Sequence, residues 1–469
     1  MKYSITAFLL VFAMHFATAQ ETWTLEKCIE YALEHNLTVK QTELNLRTAE
    51  QNELQSKGNR LPSLNASGGY IFNTGRSIDP FTNQFTTSTI QSGNFGISSS
   101  MTLFNGLQNY HSVQRSHLEA MAAKFDLDAV KNDISINVAL GYLNILLASE
   151  ALKNAEEQLS LSTDQVKRIQ ALVDAGSLPS GDLYDINAQL AVDEQNLVNA
   201  ENQLDLANLN MGILLELDDP AAFKASKVDF KMPDGKLLRM DPENIFQAAV
   251  NNQPSLQAAS IRILSSEKSL SIAKGGLSPR LTVNLSANSG FSDGRQEVTQ
   301  NQLIGFDTIF TAQGDYITSP IFQPTFRTTP YGDQLTDNLS RTASINLTIP
   351  IFNGWANKTN INRAEIGVLS ARYSYEQTEN NLRQSIYQAH TDAKAALKRY
   401  NASLRAVDAR REAFDYAVIR FDQGIINSFD YNNAKTGLIQ AESDLLQAKY
   451  DYIFKLRVLE FYYNSSLNY

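Results

Sequence analysis

Residues 342–354 read Thr-Ala-Ser-Ile-Asn-Leu-Thr-Ile-Pro-Ile-Phe-Asn-Gly. Ala343, Ile345, Leu347, Ile349 and Ile351 fall on every second position, separated by Thr342, Ser344, Asn346 and Thr348. Period-two alternation describes a strand with one apolar and one polar face. The closing Ile351-Phe352-Asn353-Gly354 repeats an earlier Leu103-Phe104-Asn105-Gly106, at a separation of 353 − 105 = 248 residues. The same separation carries Gly176, Ser180 and Asp182 onto Gly424, Ser428 and Asp430. Landmarks kept in order at one offset mean that the chain is duplicated.

Upstream, Leu61-Pro62 matches Ser278-Pro279 at 279 − 62 = 217, so the second repeat is longer by 248 − 217 = 31 residues. The extra length lies between Pro279 and Phe352, in a stretch rich in Gln, Thr, Gly and aromatics, and reads as an enlarged loop over 292–338. Lys2, the apolar run from Ala7 to Met14 and Ala17-Thr18-Ala19 have the order of a secretory signal peptide. The expected organisation is a signal peptide over 1–19, a first repeat over 20–217, a linker over 218–241 and a second repeat over 242–469. Pro220, Pro233 and Gly235 break regular structure in the linker.

Each repeat predicts a helix of about 35 residues, two strands, a helix of about 70, a tight turn and a return helix of about 35. The long helices are expected from Leu107 to Ala175 and from Trp355 to Gln423, both free of proline. At 1.5 Å per residue, each is a rod of about 105 Å. Along the return helices, Leu183, Ile186, Leu190, Leu197, Ala200 and Leu204 keep a 3,4 spacing interrupted by Asp193, and the second repeat follows from Tyr431 to Tyr462. A sustained 3.5-residue period means coiled-coil packing. Two short helices end to end match one long helix, so each repeat forms an antiparallel pair of rods.

Leu281, Val283, Leu285 and Ala287 alternate with Thr282, Asn284, Ser286 and Asn288; Ile97, Met101 and Leu103, and Leu64, Ala66, Tyr70 and Phe72, mark weaker counterparts in the first repeat. Neither face carries much charge. Runs of about 10 residues with this pattern fit strands crossing a bilayer, and Phe104, Phe291, Phe352 and Trp355 near their ends suit an interfacial girdle. Four strands cannot close a barrel, and an open edge in lipid costs several kcal/mol per unpaired group. Copies must combine, and three, giving roughly 12 strands, leave a wider lumen than two.

The 469 residues carry 40 Lys and Arg against 50 Asp and Glu, a net −10 that argues against nucleic acid as the main partner. The sole cysteine, Cys28, reads as a packed helix residue. No stretch after the leader approaches the roughly 18 uninterrupted apolar residues of a membrane helix. His111 and His117 are six apart, off the i,i+4 face of a helical zinc pair, and Lys274-Gly275-Gly276 lacks phosphate-loop spacing. No catalytic residue, metal or cofactor is expected.

Together, the duplicated helices, Pro62 and Pro279 before strands, the Leu/Ile-Phe-Asn-Gly exits and the paired Gly-x-x-x-Ser-x-Asp turns resemble the TolC-like outer membrane efflux protein family over essentially the whole mature chain. The resemblance implies an α+β membrane protein: a homotrimer with a 12-stranded β-barrel in outer membrane lipid and a 12-helix periplasmic tunnel, in a Gram-negative bacterium. It further implies a periplasmic adaptor (membrane fusion) protein and an inner-membrane transporter as partners, with cargo passed outward and no catalysis.

In that family acidic residues one turn apart on the second return helix line the periplasmic constriction. Asp430 matches the first position, but Asn433 stands at the next, while the first repeat carries Asp182 and Asp185. The basic residue that often follows the second turn glycine is replaced by Ile425 and Ile426, so closure is expected to rely on Ile426 and packing. Asp182 is expected to serve its helix N-terminus. Gly176, Leu178, Ser180, Gly424 and Ser428 are the expected adaptor-docking turns, with Leu178 and Ile426 exposed. A structural coiled-coil surface protein and a simple diffusion porin are the rival readings; a porin has no use for rods of about 105 Å.

Overall fold

The computed structural model describes residues 23–78, 83–87, 89–226, 235–310 and 312–464. The signal peptide expected over 1–19 and part of the linker lie outside the described residues. The chain divides into a helical unit (residues to 50, 118–264 and from 369) and a strand unit (51–117 and 265–368).

The element order follows the duplication. The first repeat runs α1 (Leu25–His35), α2 (Leu37–Gly58), β1 (Ser63–Asn73), β2 (Arg76–Ile78), β3 (Phe85–Thr87), β4 (Ile90–Phe104), α3 (Gln108–Asp174) and α4 (Ser180–Leu214). The second runs α5 (Pro242–Val250), α6 (Pro254–Gly275), β5 (Arg280–Ser292), β6 (Gln296–Phe310), β7 (Tyr316–Thr328), α7 (Tyr331–Asp337), β8 (Ser340–Thr348), α8 (Ala356–Asp422) and α9 (Ser428–Asn464). Both long helices have 67 residues.

Two expectations change. The leading helix of each repeat is two helices, not one. Asn36 leaves helical geometry at φ −60°, ψ 128°, and its Oδ1 accepts the N–H of Thr38 at 2.9 Å, capping α2. In the second repeat Pro254 opens α6, where its missing N–H is no loss. The segment 292–338 is not a loop: β6 and β7 pair along their length as an antiparallel hairpin, followed by α7. Bulges at Val298/Gln300 and Leu303/Gly305 shift the hairpin's alternation, and Pro320 and Pro324 make β7 read as non-strand. Edge strands tolerate proline because one side of the ladder is already unpaired.

In the helical unit two cores are copies of each other. Cys28 and Ala32 of α1 pack with Val138 and Tyr142 of α3 and Met211 of α4. Ile245 and Ala249 of α5 pack with Ile386 of α8 and Leu459 of α9. Offsets of 217 and 248 carry Cys28 onto Ile245, Val138 onto Ile386 and Met211 onto Leu459. A thiol whose repeat counterpart is isoleucine is a packing residue, and burial pushes its pKa up to about 12, removing the reactive thiolate at neutral pH. Within α3 one 18-residue window reaches mean hydropathy 1.4. That helix supplies Ile134, Leu143, Ile145 and Leu146 to the same core, which accounts for its apolar character.

In the strand unit, four strands form one antiparallel sheet in the order β1-β4-β5-β8. The base of the β6-β7 hairpin is fastened by Gln334 of α7, which is fully buried. Its side chain accepts the Ser292 N–H at 2.9 Å and donates to the carbonyls of Ser292 and Thr329 at 2.9 and 2.8 Å.

Candidate functional site: a two-faced sheet and a cross-linked pair of helix turns

The pairing registers sort the sheet into rows. Ser63, Ser100, Asn284 and Ser344 stand side by side across the four strands, and Asn65, Ser98, Ser286 and Thr342 form the next row. On the opposite face run Leu64, Ser99, Leu285 and Ala343, then Ala66, Ile97, Ala287 and Arg341. One face is therefore hydroxyl and amide, with Ser100 Oγ donating to Asn284 Oδ1 at 2.8 Å. The other is apolar and uncovered: Leu64 is 74%, Ile345 71% and Leu285 50% exposed. In water such a face is a liability, whereas in hydrocarbon it is the required surface.

Aromatics gather at both ends of this sheet. Phe291 lies 5.9 Å from Tyr70, 6.4 Å from Phe95 and 4.4 Å from Tyr331 at one end; Phe352 lies 6.1 Å from Trp355 at the other. Two such bands flanking an apolar belt fit the two interfaces of a bilayer.

The helical unit holds the two turns. Gly176 and Gly424 adopt φ +73° and +71°. Ser177 N–H bonds back to the Leu172 carbonyl at 2.9 Å and Ile425 N–H to that of Arg420 at 2.8 Å, which closes the last turn of α3 and of α8 in the same way. A Cβ at either glycine would meet nothing within 4 Å, so the left-handed backbone, not space, demands glycine. Asn427 then caps α9, its Oδ1 accepting the Asp430 N–H at 2.9 Å. Its repeat counterpart, Pro179, makes no side-chain cap.

The predicted residues are distributed unevenly here. Asp430, Asn433, Asp185 and Ser180 are exposed. Leu178 and Ile426 are half-buried, contrary to expectation; Ile425 (59%) and Phe429 (68%) are the exposed apolar residues beside the second turn. Asp182, besides sitting in the first turn of α4, accepts a hydrogen bond from the hydroxyl of buried Ser428, which ties the two turns together.

Three further links between the repeats escaped the sequence reading. Arg168 of α3 pairs with Asp422 of α8 at 2.6 Å. Gln165 donates to the hydroxyl of Tyr431, whose ring is buried between Phe414 and Phe421. Lys435 of α9 is almost fully enclosed, its Nζ 2.6 Å from Ser162 Oγ and 3.6 Å from Asp193 Oδ2. Asp193 also accepts from the Ser162 hydroxyl and from Gln189 Nε2 at 3.0 Å. Burial pushes the Lys435 pKa down, and the Asp193 carboxylate partly restores it. The only hint of this cluster in the sequence was Asp193 breaking the apolar series.

A family model described as outer membrane efflux protein matches residues 28–214 and 245–464, the two repeats in turn. The outer membrane efflux protein BepC of Brucella suis biovar 1 is 19% identical over 432 residues, covering 92% of this chain and 83% of its own. The outer membrane protein TolC of Vibrio cholerae is 20% identical over 410 residues, covering 86% and 81%. Among solved structures, the Campylobacter jejuni CmeC outer membrane channel superposes with a TM-score of 0.74 at 15% identity, covering 95% of this chain and 86% of that one. That likeness shows the fold.

Proposed function

The chain belongs to the outer membrane efflux protein family, and from that premise we propose that three copies close a single outer-membrane wall whose periplasmic duct is formed by the helical units. The observation that carries this reading is the four-stranded sheet, with its exposed apolar face, its face of hydroxyls and amides, and its outer edges on β1 and β8. Unpaired edges in lipid cost several kcal/mol per group, and three copies supply roughly 12 strands around a lumen that admits water. A diffusion porin would leave two 67-residue helices without a role.

The test is electrical. Wild-type protein extracted from outer membranes should run as an oligomer on unheated gels and conduct in planar bilayers. Asn284→Lys places about one new cation per copy on the polar face. It is expected to reverse the charge preference of the current, measured as a change of sign in the reversal potential across a salt gradient. An unchanged preference would mean that Asn284 does not face the conducting path.

Cargo reaches this channel through a periplasmic adaptor and an energised inner-membrane transporter. The turns at 176–179 and 424–427 form the docking end, shaped by Gly176 and Gly424 and presenting Ile425 and Phe429 to an apolar partner surface. Around the threefold axis, Asp430 makes an acidic ring that attracts cations, with Asn433 beside it and Asp185 on α4 contributing to the same end. Phe429→Glu is expected to lower drug efflux by cells at least tenfold while the oligomer still assembles. Efflux at the wild-type level would remove Phe429 from the docking surface.

A further inference from the structure

The four strands of the sheet carry two charged residues in all, Arg280 and Arg341. Arg280 is the first residue of β5, at the end of the sheet reached from α6, and alternation places it on the polar face with Thr282 and Asn284. Arg341 differs on both counts. It pairs with Ala287 inside the sheet, and it stands on the apolar face in the row of Ala66, Ile97 and Ala287.

A guanidinium keeps its charge at any pH the protein meets. In a hydrocarbon-facing position it must therefore reach the bilayer surface or find an anion. Arg341 is exposed, and among the described residues its side chain has no ion-pair partner. The carboxylate nearest to it along the chain, Asp337, is already engaged by Arg295 at 2.9 Å, and Arg295 also donates to Asn338 at 3.1 Å. The protein supplies a cation here and withholds its own counter-charge.

The surface beside Arg341 is shaped as well as apolar. A groove of about 450 Å³ is lined by Leu64, Ile97, Leu285, Ala287 and Ala343, with Arg341 as its one charged lining residue. The registers set small side chains beside large ones: Ser99 and Ala343 flank Leu285, and Ala287 flanks Ile97. Arg341 stands at the rim, with Leu64, Leu285 and Ala343 one row deeper. Outward from Ala287 the same face carries Ser289 and then Phe291, the centre of the aromatic band remote from the long helices. Four residues of strand are about 13 Å, or about 10 Å of depth at a tilt of about 40°. An extended arginine covers much of that distance, so its guanidinium comes up to the level where headgroups begin.

We infer that the groove and Arg341 together bind a phosphorylated glycolipid of the outer leaflet. An acyl chain lies over Leu64, Leu285 and Ala343, and the guanidinium donates to the sugar phosphate in the two-pronged manner that suits it. The position of the rim selects the lipid. In an outer membrane the outward leaflet is built of glycolipid whose sugar phosphates sit directly above the acyl chains, and Arg341 lies toward that side. The inference rests on the lipid-facing reading of the apolar face given above and adds a specific ligand to it.

The test uses the full-length oligomer, purified in mild detergent, stripped of lipid and titrated under native mass spectrometry. Wild type is expected to bind the phosphorylated glycolipid at least tenfold more tightly than its enzymatically dephosphorylated form or phosphatidylglycerol. Excess inorganic phosphate should not displace it. Arg341→Gln should lose the preference, Arg341→Lys should keep part of it, and Arg280→Gln should bind as wild type. Equal affinity for the dephosphorylated form removes the phosphate contact, and equal affinity for phosphatidylglycerol removes the glycolipid. Displacement by inorganic phosphate leaves a plain anion site, and a preference that survives Arg341→Gln removes Arg341; each of these results overturns the proposal. The lipid comparisons use wild-type protein and decide the matter whether or not Arg341→Gln assembles. Failure of the underlying reading looks different: Arg341→Gln would then shift the charge preference of the current in planar bilayers, which places the apolar face in the conducting path.

Discussion

Replacing Lys435 with methionine is expected to destabilise the helical unit by about 3–5 kcal/mol, the usual cost of leaving one charge of a buried pair without its partner. Lys435 and Asp193 have side chains 3% and 1% exposed, so water cannot take the place of the lost ammonium. Gln189 and Ser162 remain to Asp193 as donors, and two neutral hydrogen bonds do not compensate a carboxylate in such surroundings. The measurement is thermal unfolding of the detergent-solubilised protein followed by helical circular dichroism. Lys435→Met combined with Asp193→Leu removes both charges and should recover most of the loss, because apolar replacement of a whole buried pair is often neutral or better. If the single variant melts with the wild type, the pair contributes no stability. The cluster joins the return helix of one repeat to the rods of the other, so the same variant loosens the contact between α9 and the α3–α4 pair.

Gly106→Ala and Gly354→Ala alter the same motif and are expected to fail differently. Both place a side chain on left-handed backbone, at about 1–2 kcal/mol. At Gly106 the new methyl also overlaps the Gly275 carbonyl and the Ser278 side chain within the same chain, and overpacking of this kind adds about 1–3 kcal/mol. Gly106→Ala should therefore lower the yield of folded protein in the outer membrane severalfold, read by protease resistance and heat-modifiable migration. At Gly354 the new methyl would meet nothing within 4 Å among the described residues, so its protomer should fold; its damage should fall on assembly, seen as monomer on unheated gels. Identical behaviour of the two variants would argue that the positive φ alone matters.

Much of this architecture was legible because it depends on local signals. The long helices end within one residue of the expected positions, at Asp174 and Asp422, since nothing before Gly176 or Gly424 can stop a helix and each glycine then reverses it. The four sheet strands were visible through alternation that no bulge disturbs until Thr102. The β6-β7 hairpin was not, because two bulges and two prolines erase its period. Asn36 was missed as a helix break for a different reason: a single capping side chain interrupts a pattern that is otherwise continuous.

The contacts that tie the turns together lay beyond sequence reading altogether. Ser428 and Asp182 are 246 positions apart and Lys435 and Ser162 are 273 apart. Neither pair follows either repeat offset, so the duplication, which reveals what is the same in both halves, conceals links that occur once. Asp193 interrupts the apolar series of its helix, but Lys435 lies outside the corresponding series from Tyr431 to Tyr462, and nothing in the pattern marks it. The exposure of Ile425 and Phe429, rather than Leu178 and Ile426, likewise depends on how the turns face one another.

The rows of serine, threonine and asparagine on the sheet have an energetic meaning for traffic. In the trimer proposed above, where this face lines the conduit, hydroxyls and amides offer anionic, cationic and neutral permeants a hydrogen-bonding lining of similar strength, so passage along the sheet would discriminate by girth and not by sign. Selection by charge would then fall to the acidic Asp430 end of the proposed duct and to whatever loads it.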